Sequence, residues 1–446
     1  MKLVKSLLLG SAAGFAAVAG AQAADLPSRK AAPVEYVRVC SAYGAGFFYI
    51  PGTETCLRVG GRVRAEYVVG ERFGESDAYG TRARGRLNID ARTATAYGTL
   101  RTFIRYELTN NSGMYNNGSA GFNVGGTVAG FNTIAASATT SLVDLAFIQF
   151  GPITAGRAQS FFDFYASDFN FNSIRTADTR LNLLAYTATF GSGFSATISL
   201  EDRVSGAGTG GGRDLGVGSL AGATLVRQGQ DYPDLVGSLR VDQGWGSAQL
   251  SGAIGDRGIY SSPFAGGTGF KKDEMGWAVQ AGVKFNLPML AAGDALFLQA
   301  GYADGALEYL GWGAFAGHGR LPAYAVNNFG PNAFGNLKSN TGYNLVAALR
   351  HFWTPSIRSD ILASYSALQT NDGAIRSVDP KELMLGANLV WMPVAGLDIG
   401  VEVLYSRTEY GVRVPDAKTA GLGAGFARTI KSDDAFTGRL RIQRDF

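Results

Sequence analysis

A stretch early in the chain alternates strictly between polar and apolar side chains. In TRARGRLNIDAR, residues 81–92, every second position is polar (Arg82, Arg84, Arg86, Asn88, Asp90 and Arg92). Successive side chains of a β-strand point to opposite faces, so the run predicts one strand with a cationic face and an apolar face. By itself, this stretch also fits a surface strand of a soluble sandwich.

The same alternation recurs along the whole chain. In LRVGGRVRAEY, residues 57–67, Val59 and Val63 share a face with Tyr67, while Arg62 and Arg64 occupy the other. Most apolar faces end in Tyr, Phe or Trp. The segment LVDLAFIQF is an exception because it is apolar on both faces at 146–148, which a subunit contact, cover by a folded loop or a different register would each explain.

The connections between predicted strands also alternate in length. Short links such as Gly151-Pro152 are interspersed with long polar segments at 110–141, 161–181, 203–232, 255–274, 305–340 and 409–432. Outer-membrane barrels combine this loop asymmetry with apolar outer and polar inner faces, and closure satisfies every backbone group in hydrocarbon. The sequence therefore predicts an all-β, antiparallel transmembrane barrel of about sixteen strands, with short periplasmic turns, long extracellular loops and an aqueous lumen.

The N-terminus has the pattern of an export signal. Lys2 and Lys5 precede an apolar run, and Ala21-Gln22-Ala23 supplies a cleavage site, so residues 1–23 are predicted to be removed. Removal leaves 38 basic and 36 acidic residues, a formal charge of +2 that gives no reason to expect a nucleic-acid partner. Residues 24–56 form a predicted N-terminal segment, periplasmic or lumenal, and residues 57–446 form the barrel.

The chain has two cysteines, Cys40 and Cys56. They fit a single disulfide formed in an oxidising compartment, with two unrelated free thiols as the alternative.

Three segments resemble the alphaproteobacterial general porins. They are ADLPSRKAAPVEYVRVCSAYGAGFFYIPGTETCLRVGGRVRAEY at the mature N-terminus, AGRAQSFFDFY at residues 155–165, and the closing AFTGRLRIQRDF. The resemblance covers essentially the whole chain. It implies a sixteen-stranded, trimeric, water-filled channel for small hydrophilic solutes and ions in the outer membrane, whose third long loop folds into the lumen.

The loop after Arg157 corresponds by position to that inward loop. It carries Phe161, Phe162, Phe164 and Tyr165, and a solvated surface loop would rarely contain so many aromatic side chains. We therefore expect the loop to fold inward, with its aspartates available to face the pore (Asp163, Asp168 and Asp178).

Arginines on the inward faces of three consecutive strands are predicted to form the opposing, basic wall of a constriction (Arg62, Arg64, Arg82, Arg84, Arg86, Arg101 and Arg105). We expect Arg82, Arg84, Arg101 and Arg105 to lie closest to the narrowest point. For any single arginine, a charge that lumen water merely solvates is the alternative. Charge rings of this kind set the selectivity of pores.

The terminal Phe446 resembles the assembly signal of outer-membrane proteins, and an ordinary girdle residue is the other interpretation. Neither of the two histidines, His318 and His351, lies in a nucleophile or metal-binding motif, so we expect no enzyme, metal or cofactor. A substrate-specific channel with a saturable site and a purely structural barrel are the remaining alternatives.

Overall fold

We describe the chain from a computed structural model. It describes residues 38–70, 77–115, 137–204, 218–220, 223–227, 230–257, 259–261, 271–272, 274–313, 315–316, 320–322, 324–331, 337–371, 377–416, 419 and 428–446. The predicted signal peptide, residues 24–37 of the predicted N-terminal segment and parts of the long loops lie outside these ranges.

Sixteen antiparallel strands form one closed sheet. In chain order they are β1 (Thr55–Gly70), β2 (Tyr79–Thr95), β3 (Gly98–Gly113), β4 (Ser137–Phe150), β5 (Ile153–Gln159), β6 (Arg180–Gly191), β7 (Phe194–Asp202), β8 (Asp234–Gln243), β9 (Gly246–Asp256), β10 (Met275–Asn286), β11 (Ala295–Asp304), β12 (Thr341–Thr354), β13 (Ile357–Gln369), β14 (Lys381–Val394), β15 (Leu397–Pro415) and β16 (Thr429–Asp445). Each strand pairs with its neighbours in sequence, and β16 pairs with β1 from Asp445 opposite Arg62 to Thr437 opposite Gly70. The predicted barrel and its strand number are confirmed.

The two faces of the wall differ as the alternation predicts. On β1, Val63 is 57% exposed on the outside, whereas Glu66 on the inside is fully buried. On β2, Leu87 is 44% exposed on the outer face. Large apolar side chains cover the outer face of nearly every strand, which fits a surface that meets lipid.

The two ends of the barrel differ in their connections. Two residues join β2 to β3, β4 to β5, β6 to β7, β8 to β9, β12 to β13 and β14 to β15, all at one end, which we call the short-turn end. The opposite end carries the long segments, within which short strands form small extra sheets, for example Ala223–Arg227 with Ile259–Ser261. No helix in the described ranges is long and apolar enough to cross a membrane.

A β-bulge determines which face each residue of β4 occupies. Arg105 on β3 lies opposite Leu145, but Tyr106 lies opposite Val143, so Asp144 is an extra residue in β4. The bulge shifts the alternation by one position, and both Asp144 and Leu145 are buried. Phe147 therefore points inward, where it stacks on Phe103 at 5.4 Å between ring centroids and packs, together with Phe161 of the loop after β5, against one buried cluster. Cover by a folded loop thus explains the apolar inner position.

The described part of the N-terminal segment is clipped to the start of β1. Cys40 and Cys56 form a disulfide, as predicted, and a short strand, Phe48–Tyr49, pairs with β1 at Leu57 and Cys56. Phe47 is buried and lies 4.9 Å from the Arg92 guanidinium, on the inward face of β2. Tyr43 and Phe47 of this segment thus contact an inward-facing residue of β2 near the short-turn end.

Candidate pore constriction

The loop between β5 and β6, residues 160–179, lies inside the barrel, and we call it the constriction loop. Its base is closed by a backbone hydrogen bond from Ser160 N to Thr179 O, 3.0 Å. Glu201 on β7 fixes its entry by accepting hydrogen bonds from Ser160 Oγ at 2.6 Å and Phe161 N at 3.0 Å. The predicted inward fold of the third long loop is confirmed.

Aromatic side chains attach the loop to the wall. Phe162 and Tyr165 are fully buried, and Phe164 is nearly so. Phe164 packs where β10 has Gly282, at which any Cβ would overlap the phenyl ring. Phe162 packs edge-on against Tyr309, with 4.6 Å between ring centroids. The loop therefore packs against the wall at Gly282 and against Tyr309, which lies in a short 3-10 helix (Leu307–Leu310) between β11 and β12.

Polar side chains on the wall satisfy the backbone of the loop. The carbonyl of Phe162 accepts hydrogen bonds from Ser251 Oγ at 2.9 Å and Gln280 Nε2 at 3.0 Å. In addition, the side chain of Arg175 in the loop forms a bidentate ion pair with Glu382 on β14, at 2.7 and 2.8 Å. Because a buried backbone group without a partner is costly, these wall side chains are part of what makes an inward loop stable.

Hydrogen bonds from the wall hold the tip of the loop at the peptide group between Phe171 and Asn172. Phe171 N and Asn172 N donate to the Glu402 carboxylate at 2.6 and 2.7 Å. The carbonyl of Phe171 accepts from Arg439 Nη1 at 2.5 Å and from Arg441 Nη2 at 2.7 Å. Strands β15 and β16 therefore set how far the tip stands from the opposite wall.

A cavity of about 1010 Å³ separates the loop tip from the wall built by β1, β2 and β3. Eleven arginines and four aspartates line it among the described residues. The arginines are Arg62, Arg64, Arg82, Arg84, Arg86, Arg105, Arg180, Arg350, Arg358, Arg439 and Arg441; the aspartates are Asp168, Asp178, Asp398 and Asp445. We call the arginines of β1, β2 and β3 in this set the basic wall; Arg439 and Arg441 of β16 lie beside it and hold the loop tip.

Most of the arginines singled out from the sequence meet at this cavity, but Arg101 does not line it. Arg101 lies nearer the short-turn end, where its guanidinium donates to Asp90 with two contacts of 3.0 Å and to Gln149 at 3.0 Å. Six of the seven predicted arginines are thus brought together, and the seventh sits in a separate cluster.

The three loop aspartates divide in a similar way. Asp168 and Asp178 line the cavity, on the side facing the basic wall. Asp163 is buried, and its Oδ2 accepts hydrogen bonds from Thr179 N at 2.7 Å and Gln159 Nε2 at 2.6 Å. Asp163 therefore ties the two ends of the loop together.

Five lining arginines were missed in the sequence reasoning: Arg180, Arg350, Arg358, Arg439 and Arg441. A signal existed for three of them. Alternation with Ile357 and Ile361 puts Arg358 on the inner face, and the outward positions Leu440 and Ile442 of the last strand put Arg439 and Arg441 there. Closure of the barrel then brings β16 beside β1. Arg180 directly follows the constriction loop, and no alternation on that side marks it as inward.

Buried carboxylates form ion pairs with arginines that line the cavity. Glu66 contacts Arg441 at 2.6 Å and both Arg82 and Arg439 at 3.7 Å. Glu107 pairs with Arg86 and, at 3.3 Å, with Arg84. These contacts hold the guanidinium groups in fixed positions, but each carboxylate serves more than one arginine, so the wall keeps a net positive charge.

The acids of the loop are harder to ionise than exposed carboxyl groups. Burial raises the pKa of Asp178 to about 6, although the nearby Arg180 guanidinium, 3.5 Å away, acts in the opposite direction. Partial desolvation raises the pKa of Asp168 as well, although its side chain is exposed to the cavity and Arg350 acts in the opposite direction. The negative side of the cavity therefore weakens under mildly acidic conditions.

A second cavity, of about 760 Å³, lies under the loop on the opposite side of the lumen. Arg240, Lys284 and the rings of Phe164 and Phe297 line it, and Arg240 is paired with Asp242 at 2.8 Å. Asp168 is shared by both cavities, which places this space next to the first, toward the short-turn end.

Comparisons with known proteins agree with this architecture. The family model described as the Porin subfamily matches residues 25–438. Porin Omp2b of Brucella suis biovar 1 is 35% identical over 332 residues, which are 68% of this chain and 85% of the relative, and Porin Omp2b of Brucella abortus strain 2308 is equally similar. The outer membrane channel DcaP of Acinetobacter baumannii has the same fold, with a TM-score of 0.60 at 16% identity over 89% of this chain and 99% of that chain.

Proposed function

Because the chain belongs to the porin subfamily, and is thus an outer-membrane channel for passive diffusion rather than an enzyme, we propose that its selectivity arises between the basic wall and the constriction loop. The single observation that carries the proposal is the uneven charge of the cavity, where eleven arginines meet four aspartates. We infer a channel for small hydrophilic solutes that favours anions over cations.

Two features explain how solutes pass and are selected: the water in the lumen and the electric field across the constriction. A bare ion that entered hydrocarbon would lose its hydration at a cost of many kcal/mol, and a water-filled lumen removes most of that cost. Arginines on one side and Asp168 and Asp178 on the other create a field across the path. Dipolar solutes can turn with this field, whereas apolar solutes must disrupt the ordered water without compensation. At physiological salt the Debye length is about 8 Å, so charges that line the cavity dominate selectivity.

The proposal is tested by the reversal potential of the reconstituted channel in a salt gradient. We expect the wild type to favour chloride over potassium, and R82Q/R84Q to move the reversal potential toward cations. The R413Q variant is the control, since Arg413 lies near the long-loop end of β15, outside the cavity lining, and contacts Thr429. An unchanged potential in the double variant would remove Arg82 and Arg84 from the selective site, and an absence of conductance would favour a purely structural barrel.

We also propose that the channel is a homotrimer. Residues 137–143 of β4, toward the long-loop end, pair with β3, but β5 pairs only with residues 146–150 of β4. An unpaired strand edge facing lipid is unfavourable, so a neighbouring copy is a suitable cover for this region. Chemical cross-linking of the protein in native membranes tests the trimer, and a product no larger than a monomer would contradict it.

The end of the chain supports a role for Phe446 in assembly. Its backbone pairs with Gly61 on β1 through hydrogen bonds of 2.9 and 3.0 Å, and its ring is 67% exposed. Because this ring is exposed where β16 meets β1, an assembly factor could contact it before the two strands pair.

A further inference from the structure

We propose that Arg64 and Arg84 form a saturable binding site for a phosphate group within the basic wall. The inference rests on the proposed function and extends it, because it names the class of anion that would be retained during passage. The site would accept the doubly charged oxyanion of inorganic phosphate or of a small phosphate ester.

The register of the first two strands creates this site. Arg64 is directly opposite Arg84 in the β1–β2 ladder, and the neighbouring pair places Arg62 opposite Arg86. Like charges directly opposite one another destabilise a sheet unless a counter-charge lies close by. Two successive opposed pairs of arginines on one lumen-facing surface therefore require compensation.

The two pairs are compensated differently. Arg62 has its own carboxylate, Asp445, at 2.5 Å, and Arg86 pairs with Glu107. Arg64 instead directs Nε and Nη2 at the neutral Oε1 of Gln443, at 3.0 and 2.8 Å. Within the described part of the chain, no carboxylate lies within 4 Å of the Arg64 guanidinium.

Arg84 is only partly compensated. Its Nε donates to Thr109 Oγ1 at 3.0 Å, and its Nη1 is 3.3 Å from Glu107, the same carboxylate that serves Arg86. Among the described residues, the carboxylate within 4 Å of the cross-strand pair Arg64 and Arg84 is thus Glu107, which Arg84 shares with Arg86. Both arginines line the cavity, where an anion from solution can reach them.

Hydrogen bonds to neighbouring side chains already hold the guanidinium groups of Arg64 and Arg84 in place. Gln443, which orients Arg64, is itself fixed through a 2.9 Å hydrogen bond from its Nε2 to Asp445. Because these side chains are ordered before an anion arrives, binding costs little additional side-chain entropy.

The chemistry favours an oxyanion over chloride. A guanidinium presents a planar fork of N–H donors that matches two oxygens of one phosphate, and two arginines at cross-strand positions that line one cavity offer two such forks. Chloride has a single charge and cannot bridge both forks through separate atoms. A cavity of about 1010 Å³ also has room for the remainder of a small phosphorylated solute.

The experiment measures chloride current through the reconstituted full-length channel while inorganic phosphate is added. We expect phosphate to inhibit the chloride current along a saturating curve. R64Q and R84Q should each raise the half-inhibiting concentration by about tenfold or more, because each removes a charge-assisted hydrogen-bond fork. R64K should fall between the wild type and R64Q, since it keeps the charge and loses the fork. R413Q should behave as the wild type.

A second arm replaces inorganic phosphate with glycerol phosphate. Saturable inhibition by both anions assigns the site to the phosphate group, and inhibition by inorganic phosphate alone assigns it to the free ion. If inhibition rises linearly with either anion, or if R64Q leaves the curve unchanged, the site does not exist. Such a result would leave the proposed function intact as long as the wild type still favours chloride in a salt gradient. A cation-selective wild type would instead refute the proposed function.

Discussion

At the scale of single residues, protonation of Asp178 in the constriction loop should change the ion selectivity of the channel. The pKa of Asp178 is raised to about 6, mainly by burial, so this carboxyl group is largely ionised at pH 7.5 and largely protonated at pH 5. Protonation removes a negative charge opposite the basic wall. The permeability ratio of chloride to potassium should therefore rise as the pH falls from 7.5 to 5.

The D178N variant should show high chloride preference already at pH 7.5 and a smaller change on acidification. D242N is the matched control, because it removes one carboxylate from the second cavity, where Asp242 is exposed and paired with Arg240. Reversal potentials at a series of pH values provide the measurement. A chloride preference that falls on acidification in the wild type would contradict this role of Asp178.

Single-residue roles were the least predictable from the sequence. Alternation assigns Arg62, Arg64, Arg82, Arg84 and Arg86 to the inner face, because parity along a strand needs no knowledge of other strands. It does not indicate height along the barrel axis, which is why Arg101 could not be separated from Arg105. Nor does it distinguish Asp163, which hydrogen-bonds the base of its own loop, from Asp168 a few residues later.

At the scale of elements, the constriction loop depends on a glycine in the wall it packs against. Any side chain at Gly282 would overlap the ring of Phe164. We expect G282A to displace the loop, to change single-channel conductance and increase open-channel noise, and to destabilise the barrel by about 1–3 kcal/mol, as overpacking typically does. Single-channel recording and thermal unfolding in detergent measure both effects.

The control for this variant is G252A on β9. The nearest atom to a Cβ at Gly252 is the backbone oxygen of Ala278 at 3.9 Å, so an added methyl group fits. The account of loop packing would be wrong if G282A and G252A had the same conductance, noise and stability as the wild type.

Strand faces followed closely from the sequence, whereas boundaries at the long-loop end did not: the predicted segment 409–432 begins inside β15, which continues to Pro415. The strand β4 shows where the reasoning about faces fails. A bulge at Asp144 adds one residue and reverses the parity of the rest of the strand. Nothing in LVDLAFIQF marks the bulge locally, because the extra residue is defined by the partner strand β3. The aromatic residues of the constriction loop were informative for the opposite reason: their number alone favoured burial.

At the scale of the whole molecule, polarity is inverted relative to a soluble protein. Apolar side chains such as Val63 and Leu87 cover the outside, and arginines with buried carboxylates surround the lumen. The sequence alone predicted this arrangement because alternation within strands and the unequal lengths of the connections can both be seen without knowing which strands pair. The closeness of β16 to β1 arises only on closure, which is why the contribution of Arg439 and Arg441 to the cavity was not anticipated.

The central claim is that lipid contacts one face of each strand and water the other, and a cysteine scan of β2 tests it most directly. The described residues include no free cysteine, so each introduced thiol can be observed against a clean background. Single cysteines at the inward positions 84, 86 and 88 should react with a charged, membrane-impermeant thiol reagent in lipid vesicles. Cysteines at the outward positions 83, 87 and 89 should remain unmodified. Equal labelling of both sets, or labelling of the outward set alone, would contradict the account.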